Sequence, residues 1–102
     1  MAKYRGFFTP DADAEVLDSY LWGVEYWGED AAKLWLRELY SAVFRRLTTF
    51  PLSCPLAPEN FASERQVRHF LLGRYRVLFE IKDDMVIVLQ LVGPFKESPD
   101  ND

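Results

Sequence analysis

Arginine and histidine are the residues of this sequence with the clearest capacity for chemistry, and they occur close together. Arg68 and His69 are adjacent, and Arg74 and Arg76 follow them within the same segment. A guanidinium group pairs well with phosphate or carboxylate oxygens, and an imidazole can exchange a proton near neutral pH. These residue types could therefore bind an anionic partner, or His69 could act as the general base of a ribonuclease.

The same residues also have a purely structural interpretation. Neighbouring side chains of a strand point to opposite faces, so His69 points away from Arg68. We therefore favour a strand histidine without a catalytic role. For Arg68, Arg74 and Arg76, two interpretations stay open: binding of phosphate or carboxylate, and simple solvation of an exposed sheet face.

The strands that carry these residues are predicted from the periodicity of residues 67–92. Apolar and charged side chains alternate over 75–82, the pattern of a strand with one buried face. Residues 85–92 are apolar at nearly every position, which predicts a central strand covered on both sides. Asp83 and Asp84 fit a hairpin turn between them, because aspartate tolerates positive φ. The predicted pairs across this hairpin are Lys82 with Met85, Glu80 with Ile87, Leu78 with Leu89 and Arg76 with Leu91.

Two helices are predicted before this hairpin. Residues 4–9 fit a short strand, and Thr9 and Pro10 then suit the cap and first residue of a helix. Gly28 ends that helix, and a second helix begins directly after it and ends at Pro51. Three tryptophans are assigned to the core or to the seam between the helices rather than to a base-stacking platform: Trp22, Trp27 and Trp35.

The remainder of the chain predicts a loop and one more strand. Residues 51–64 are rich in proline and form the loop, and 65–72 form the strand, with a turn at Gly73. The last strand stops at Gly93-Pro94. The order strand, helix, helix, strand, strand, strand predicts an α+β fold, an antiparallel sheet with a helical hairpin packed on one face. We call the opposite face of the sheet its outer face.

Length and composition predict one small, acidic domain. A single domain with one hydrophobic core is predicted over residues 1–102, and residues 96–102 are predicted to be a frayed tail. The net charge of −4 and the pI near 5.0 disfavour nucleic acid as a partner. Cys54 is the only cysteine, which excludes an internal disulfide and a cysteine zinc site. We expect no metal or cofactor, no signal peptide or membrane span, and a soluble cytoplasmic protein.

Short motifs follow one another along nearly the whole chain. They are Phe8-Thr9-Pro10, Trp27-Gly28-Glu29-Asp30, Cys54-Pro55-Leu56-Ala57-Pro58-Glu59, Val67-Arg68 and Gly73-Arg74-Tyr75-Arg76-Val77. In this order they resemble the RelE/ParE superfamily of toxins from type II toxin–antitoxin modules, and most closely its ParE-like branch. The fold that this resemblance implies is the same order, β-α-α-β-β-β.

The resemblance implies a toxin of the plasmid-stabilisation type that forms a hetero-oligomer with a cognate antitoxin. ParE-like members inhibit DNA gyrase, whereas RelE-like members cut messenger RNA on the ribosome. In the nucleases, basic side chains contact the phosphate, and the matching residues here are Arg76, Arg68 and Lys96. The tyrosine or histidine that those nucleases carry near the C-terminus is missing after Gly93.

We therefore expect a toxin that binds and inhibits gyrase and is not an enzyme. The candidates for target binding are Arg68, Arg74, Arg76, Phe95 and Lys96. The candidates for antitoxin binding are Leu36, Tyr40 and Phe44, because the apolar stripe of the second helix is broader than packing on a sheet requires. The alternatives are a ribosome-dependent endoribonuclease and a non-toxic member that only binds its antitoxin.

Overall fold

The computed structural model describes residues 4–58 and 66–93. The strands and helices are β1 (Arg5–Phe8), α1 (Pro10–Trp27), α2 (Glu29–Leu47), β2 (Arg68–Leu72), β3 (Tyr75–Lys82) and β4 (Met85–Val92), with a 3₁₀ turn at Pro51–Ser53. The predicted order and the α+β class are confirmed. Neither helix of the described ranges is long and apolar enough to cross a membrane.

The four strands form one sheet in the order β1-β4-β3-β2. The pairs β2–β3 and β3–β4 are antiparallel, as predicted, but β1 runs parallel to β4, so the sheet is mixed. The periodicity of a strand shows which side chains share a face and carries no information on the direction of its neighbour. After β1 the chain passes through both helices, β2 and β3, and only then forms β4, which lies beside β1 and runs in the same direction.

The helix ends follow the sequence signals closely. The Thr9 hydroxyl accepts a hydrogen bond from the Ala12 amide at 3.1 Å, which caps α1, and Pro10 is the first helical residue. Gly28 adopts a φ of 99° and donates its amide to the carbonyl of Val24 at 3.2 Å. Its own carbonyl accepts from the Ala32 amide at 3.0 Å, so one glycine ends α1 and starts α2.

The β3–β4 hairpin contains an irregularity that the sequence did not predict. Asp83 takes a positive φ of 57° in the turn, and the pairs Lys82–Met85 and Glu80–Ile87 form as predicted. The register then shifts between Leu78 and Phe79. Two predicted pairs are therefore wrong, because Leu78 lies opposite Gln90 and Arg76 opposite Val92. Leu89 is the extra residue of β4, a bulge that a period of two cannot reveal.

Strand β4 lies in the centre of the sheet, but the helices cover only one of its faces. Val86, Val88 and Leu91 are buried under the helices, whereas Ile87 on the other face is half-buried and Gln90 is exposed. The expectation of cover on both sides is wrong, because both helices pack on the same face of the sheet. The core-facing side chains are Ala12 and Val16 of α1, Leu39, Val43 and Leu47 of α2, Cys54 after α2, and Phe70, Tyr75, Val77, Phe79, Val86, Val88 and Leu91 of the sheet.

The proline-rich segment after α2 packs along the free edge of β2. Helix α2 ends at Leu47, four residues before the predicted end at Pro51. Leu56 then bridges Arg68, and the His69 amide donates to the carbonyl of Pro55 at 3.0 Å. The segment therefore shields part of an edge that would otherwise present unpaired backbone groups. Residues 59–65, which include the predicted start of the strand, lie outside the described residues.

Helix α1 replaces β1 along the rest of β4. Strand β1 pairs only as far as Val88, whose carbonyl also accepts the Thr9 amide at 3.0 Å. Further along β4, the Leu91 amide donates to Oε1 of Glu15 at 2.7 Å. The carboxylate therefore satisfies a strand amide that has no strand partner on that side.

Replacing Glu15 tests this contact. We expect Glu15→Ala to lower the free energy of unfolding by about 1–3 kcal/mol, because the Leu91 amide then loses its acceptor. Urea denaturation of the purified protein measures the loss. Asp18→Ala, on the exposed side of the same helix, is the matched control. Equal stabilities of the two variants would contradict a structural role of the Glu15 carboxylate.

Candidate functional site

The outer face of the sheet carries two of the chemistry-bearing residues that the sequence singled out, His69 and Arg76. Its side chains occupy the positions that alternate with the core-facing ones. They are Arg5 and Phe7 of β1, His69 and Leu71 of β2, Arg76, Leu78, Glu80 and Lys82 of β3, and Met85, Ile87, Gln90 and Val92 of β4. Phe7 and Leu71 are 44% and 64% exposed, so this face presents apolar as well as charged groups to solvent.

Arg76 and His69 meet on the outer face. The Nη1 atom of Arg76 lies 3.2 Å from Nδ1 of His69. A guanidinium only donates hydrogen bonds, so Nδ1 of the imidazole is the acceptor in this contact. The pair holds the guanidinium beside Leu71, its cross-strand neighbour. An imidazole bound in this way is better suited to positioning an arginine than to taking a proton through Nδ1.

Arg68 is separated from Arg76 by the thickness of the sheet. It lies opposite Phe79, a core residue, and its Nη1 donates to the carbonyl of Cys54 at 2.6 Å. This hydrogen bond links the segment after α2 to β2, and the Arg68 side chain does not reach the outer face. The alternation rule placed Arg68 and His69 on opposite faces, and the structure shows that Arg68 faces the helices.

The other predicted target-binding residues do not join Arg76 in one cluster. Arg74 is exposed at the turn between β2 and β3, next to Gly73 with a φ of 61°. It borders the helical side of the sheet end rather than the outer face. Phe95 and Lys96 lie outside the described residues. Of the proposed phosphate-binding set, the structure therefore places Arg76 and Arg68 on opposite sides of the sheet.

The candidates for antitoxin binding pack against β1. Leu36 and Tyr40 are half-buried against the core, and the ring of Phe8 lies 5.2 Å from Tyr40 and 5.9 Å from Phe44. A Cβ built on Gly6 would lie 2.7 Å from the Phe44 ring, so this glycine lets the ring rest on the strand backbone. Phe44 keeps 38% of its surface exposed. We call the surface formed by Leu36, Tyr40 and Phe44 the α2 flank. Strand β1 of the same chain covers most of it.

A cavity that the sequence did not indicate opens where the helical hairpin meets the β2–β3 turn. Its volume is about 310 Å³, and we call it the tryptophan cavity. Its walls are Trp27, Trp35, Leu39, Leu72 and Tyr75, and Glu38, Gly73 and Arg74 form its rim. The sequence assigned the aromatic residues to the core or the seam, and no periodicity predicts that they leave a gap between them.

Three aromatic rings of the cavity are held in place by neighbours. The ring centroids of Trp27 and Trp35 are 6.2 Å apart, and those of Trp35 and Tyr75 are 5.2 Å apart. A Cβ on Gly93 would lie 2.5 Å from the Tyr75 ring, and one on Gly23 would lie 2.8 Å from the Trp27 ring. Both rings therefore pack directly on glycine backbone, which only a residue without Cβ permits.

Burial raises the pKa of Tyr75 above its ordinary value of 10.0, and a hydrogen bond with Ser19 partly opposes this shift. The folded state therefore favours the neutral phenol. Among the residues that the structure describes, no group of three or more histidine, cysteine, aspartate and glutamate side chains could hold a metal ion.

Comparison with known proteins identifies the family. The chain matches the family model described as the ParE toxin of the type II toxin–antitoxin system parDE over residues 7–97. It belongs to this family, within the RelE/ParE superfamily of toxins, as the sequence motifs predicted. None of the curated proteins matches the sequence of this chain.

Two solved structures show the same fold at low sequence identity. The chromosomal ParDE toxin–antitoxin system from P. aeruginosa superposes with a TM-score of 0.75 at 17% identity, covering 89% of this chain and 96% of that one. The toxin–antitoxin complex RelBE2 from Mycobacterium tuberculosis gives a TM-score of 0.66 at 20% identity, covering 91% and 93%. One neighbour is a ParDE system and the other a RelBE complex, and this chain shares its fold with both.

The contact of Arg68 with Cys54 predicts a structural effect of its replacement. We expect Arg68→Met to lower the free energy of unfolding by about 1.5–3 kcal/mol, because a charged hydrogen bond to a half-buried carbonyl is lost. Thermal or urea unfolding measures this loss. Arg45→Met, on the exposed side of α2, is the control. A stable Arg68→Met protein would contradict the anchoring role.

The raised pKa of Tyr75 predicts a loss of stability at alkaline pH. Near pH 10.0 the unfolded chain releases this phenolic proton while the folded chain retains it. The stabilisation is fully present below that pH and disappears as the pH rises through the higher folded value. Tyr75→Phe should therefore show a shallower decline in unfolding free energy between pH 9 and 11 than the wild type, as measured by urea denaturation. Tyr26→Phe, at a side chain that is 67% exposed, is the control, and parallel declines of both variants would refute the assignment.

Proposed function

We propose that this chain is the toxin of a type II toxin–antitoxin module, neutralised by a cognate antitoxin, and that it acts by binding and inhibiting DNA gyrase. The family match over residues 7–97 is the observation that carries this proposal, because it identifies the ParE branch. The antitoxin partner is supported by the two structural neighbours, which are toxin–antitoxin systems or complexes.

The geometry of the outer face supports action by contact rather than by cleavage. Cleavage of RNA needs a base, an acid and positive charge on the phosphate, all within hydrogen-bond reach of one another. Arg76 is bound to His69, and Arg68 faces the helices, so these residues do not converge on one phosphate. Exposed Leu71 beside Arg76 is instead an apolar and arginine pair of the kind found in protein–protein interfaces, and Phe7 beside Arg5 repeats it on the opposite edge strand.

The endoribonuclease is the second candidate, and one observation favours it. The Arg76–His69 pair brings a guanidinium and an imidazole together on a solvent-accessible sheet face. The net charge of −4 argues against it, because binding to the ribosome and to RNA gains from positive charge. A non-toxic member that only binds its antitoxin is the third candidate.

Induction of this chain alone in bacteria distinguishes the three candidates. Growth, plasmid supercoiling and the ends of messenger RNA are followed in the same culture. We expect growth arrest with altered supercoiling and intact transcripts. Arrest with new cuts inside translated codons would instead identify the ribonuclease. Normal growth with soluble, folded protein would identify the non-toxic member.

Two outer-face variants test the proposed contact surface. Leu71→Gln and Arg76→Ala alter cross-strand neighbours, and each should weaken gyrase inhibition in vitro by about tenfold or more, because interface centres carry most of the binding energy. Leu52→Gln, on the 3₁₀ turn at 61% exposure, is the matched control for Leu71. If both outer-face variants inhibited gyrase as strongly as the wild type, the proposal that the outer face contacts gyrase would be contradicted.

A further inference from the structure

We propose that the tryptophan cavity is the anchoring site for the antitoxin, and that it receives one large apolar side chain of that partner. In this proposal, Arg74 on the rim binds an acidic residue next to the anchor, and Glu38 binds a basic one. The inference rests on the proposed function, because the antitoxin is the partner in question. It places the main contact at the end of the helical hairpin rather than along the flank of α2.

The cavity is preformed. Its volume of about 310 Å³ lies at the lower end of the range of about 300–1,000 Å³ for ligand pockets. Trp27 and Tyr75 pack on the backbone of Gly23 and Gly93, and Trp35 lies between their rings. Side chains that are already held by packing lose less conformational freedom when a partner binds, so more of the contact energy remains as affinity.

Aromatic surface at the mouth of the cavity is left uncovered by the chain itself. Trp27 contacts the rings of Trp22 and Trp35, yet 42% of its side chain stays exposed. A concave site lined by tryptophan and tyrosine is the environment in which a few side chains dominate a protein–protein interface. A leucine, phenylalanine or similar side chain would fill this space and cover the exposed indole.

The rim charges indicate what kind of partner fits. Arg74 and Glu38 are exposed, and neither side chain makes a hydrogen bond or ion pair with any residue in the ranges 4–58 and 66–93. Opposite charges at one rim select a partner that offers both signs around an apolar group. A peptide segment does so, whereas nucleic acid or an anionic lipid surface would place negative charge against Glu38.

The flank of α2 offers no comparable recess. Tyr40 and Phe44 are covered on one side by Phe8, and Phe44 rests on Gly6. An antitoxin segment lying on this flank would contact a mostly filled surface. Binding at the tryptophan cavity and binding at the α2 flank therefore predict different effects of mutations on the same complex.

Affinity measurements with the purified product of the open reading frame adjacent to the gene of this chain test the proposal. Trp27→Ala and Arg74→Glu should each raise the Kd by about tenfold or more in isothermal titration calorimetry. Leu72→Trp, which fills the cavity without removing a wall, should raise the Kd similarly. Tyr26→Ala and Arg37→Glu are the matched controls, as an exposed aromatic residue next to Trp27 and an exposed arginine of α2. Both should stay within about twofold of the wild type.

The possible failures are distinguishable. If the wild-type chain neither binds the neighbouring gene's product nor stops growth, the proposed function fails. If the wild type binds tightly and all three cavity variants keep its Kd, the cavity proposal is overturned while the proposed function stands. Loss of affinity only in the combined variant Leu36→Ala, Tyr40→Ala, Phe44→Ala would likewise overturn it and assign the contact to the α2 flank. Urea denaturation of each variant confirms that the fold is retained.

Discussion

The hydrogen bond from the Leu91 amide to the Glu15 carboxylate links helix α1 to the part of β4 that strand β1 leaves unpaired. Strand β1 has four residues and β4 has eight, so half of the central strand has no strand partner on that side. Thr9 and Glu15 of the helical segment supply acceptors and donors there in place of a strand. Helix α1 is thereby fixed in rotation and position against β4.

The bulge at Leu89 decides which residues of β4 reach the core. With strict alternation after Val88, Gln90 would face the helices and Leu91 the solvent. The extra residue reverses this, so that Leu91 is buried and Gln90 is exposed. It also brings Val92 opposite Arg76 on the outer face. One inserted residue thus places an apolar side chain in the core and another beside the proposed interface.

Local signals in the sequence were sufficient to predict the helices, strands and turns. The positions of the site residues depend on tertiary contacts, which those signals do not report. The cap at Thr9, the glycine at Gly28 and the turn at Asp83 depend on nearby backbone geometry, so each was predictable from residue type. The bulge, the contact of Arg68 with the Cys54 carbonyl and the tryptophan cavity depend on residues far apart in the chain. Alternation showed that Arg68 and His69 diverge, but only the packed helices show which of them faces the core.

The single glycine between the helices also limits how the chain can vary in length. Gly28 alone joins the two helices and is hydrogen-bonded to both, so one inserted or deleted residue there would break these bonds and change the angle at which α2 leaves α1. The opposite end of α2 leads into the short turn and extended segment beside β2, where the connection is longer. Insertions and deletions in related sequences should therefore concentrate after α2 and be rare between the helices.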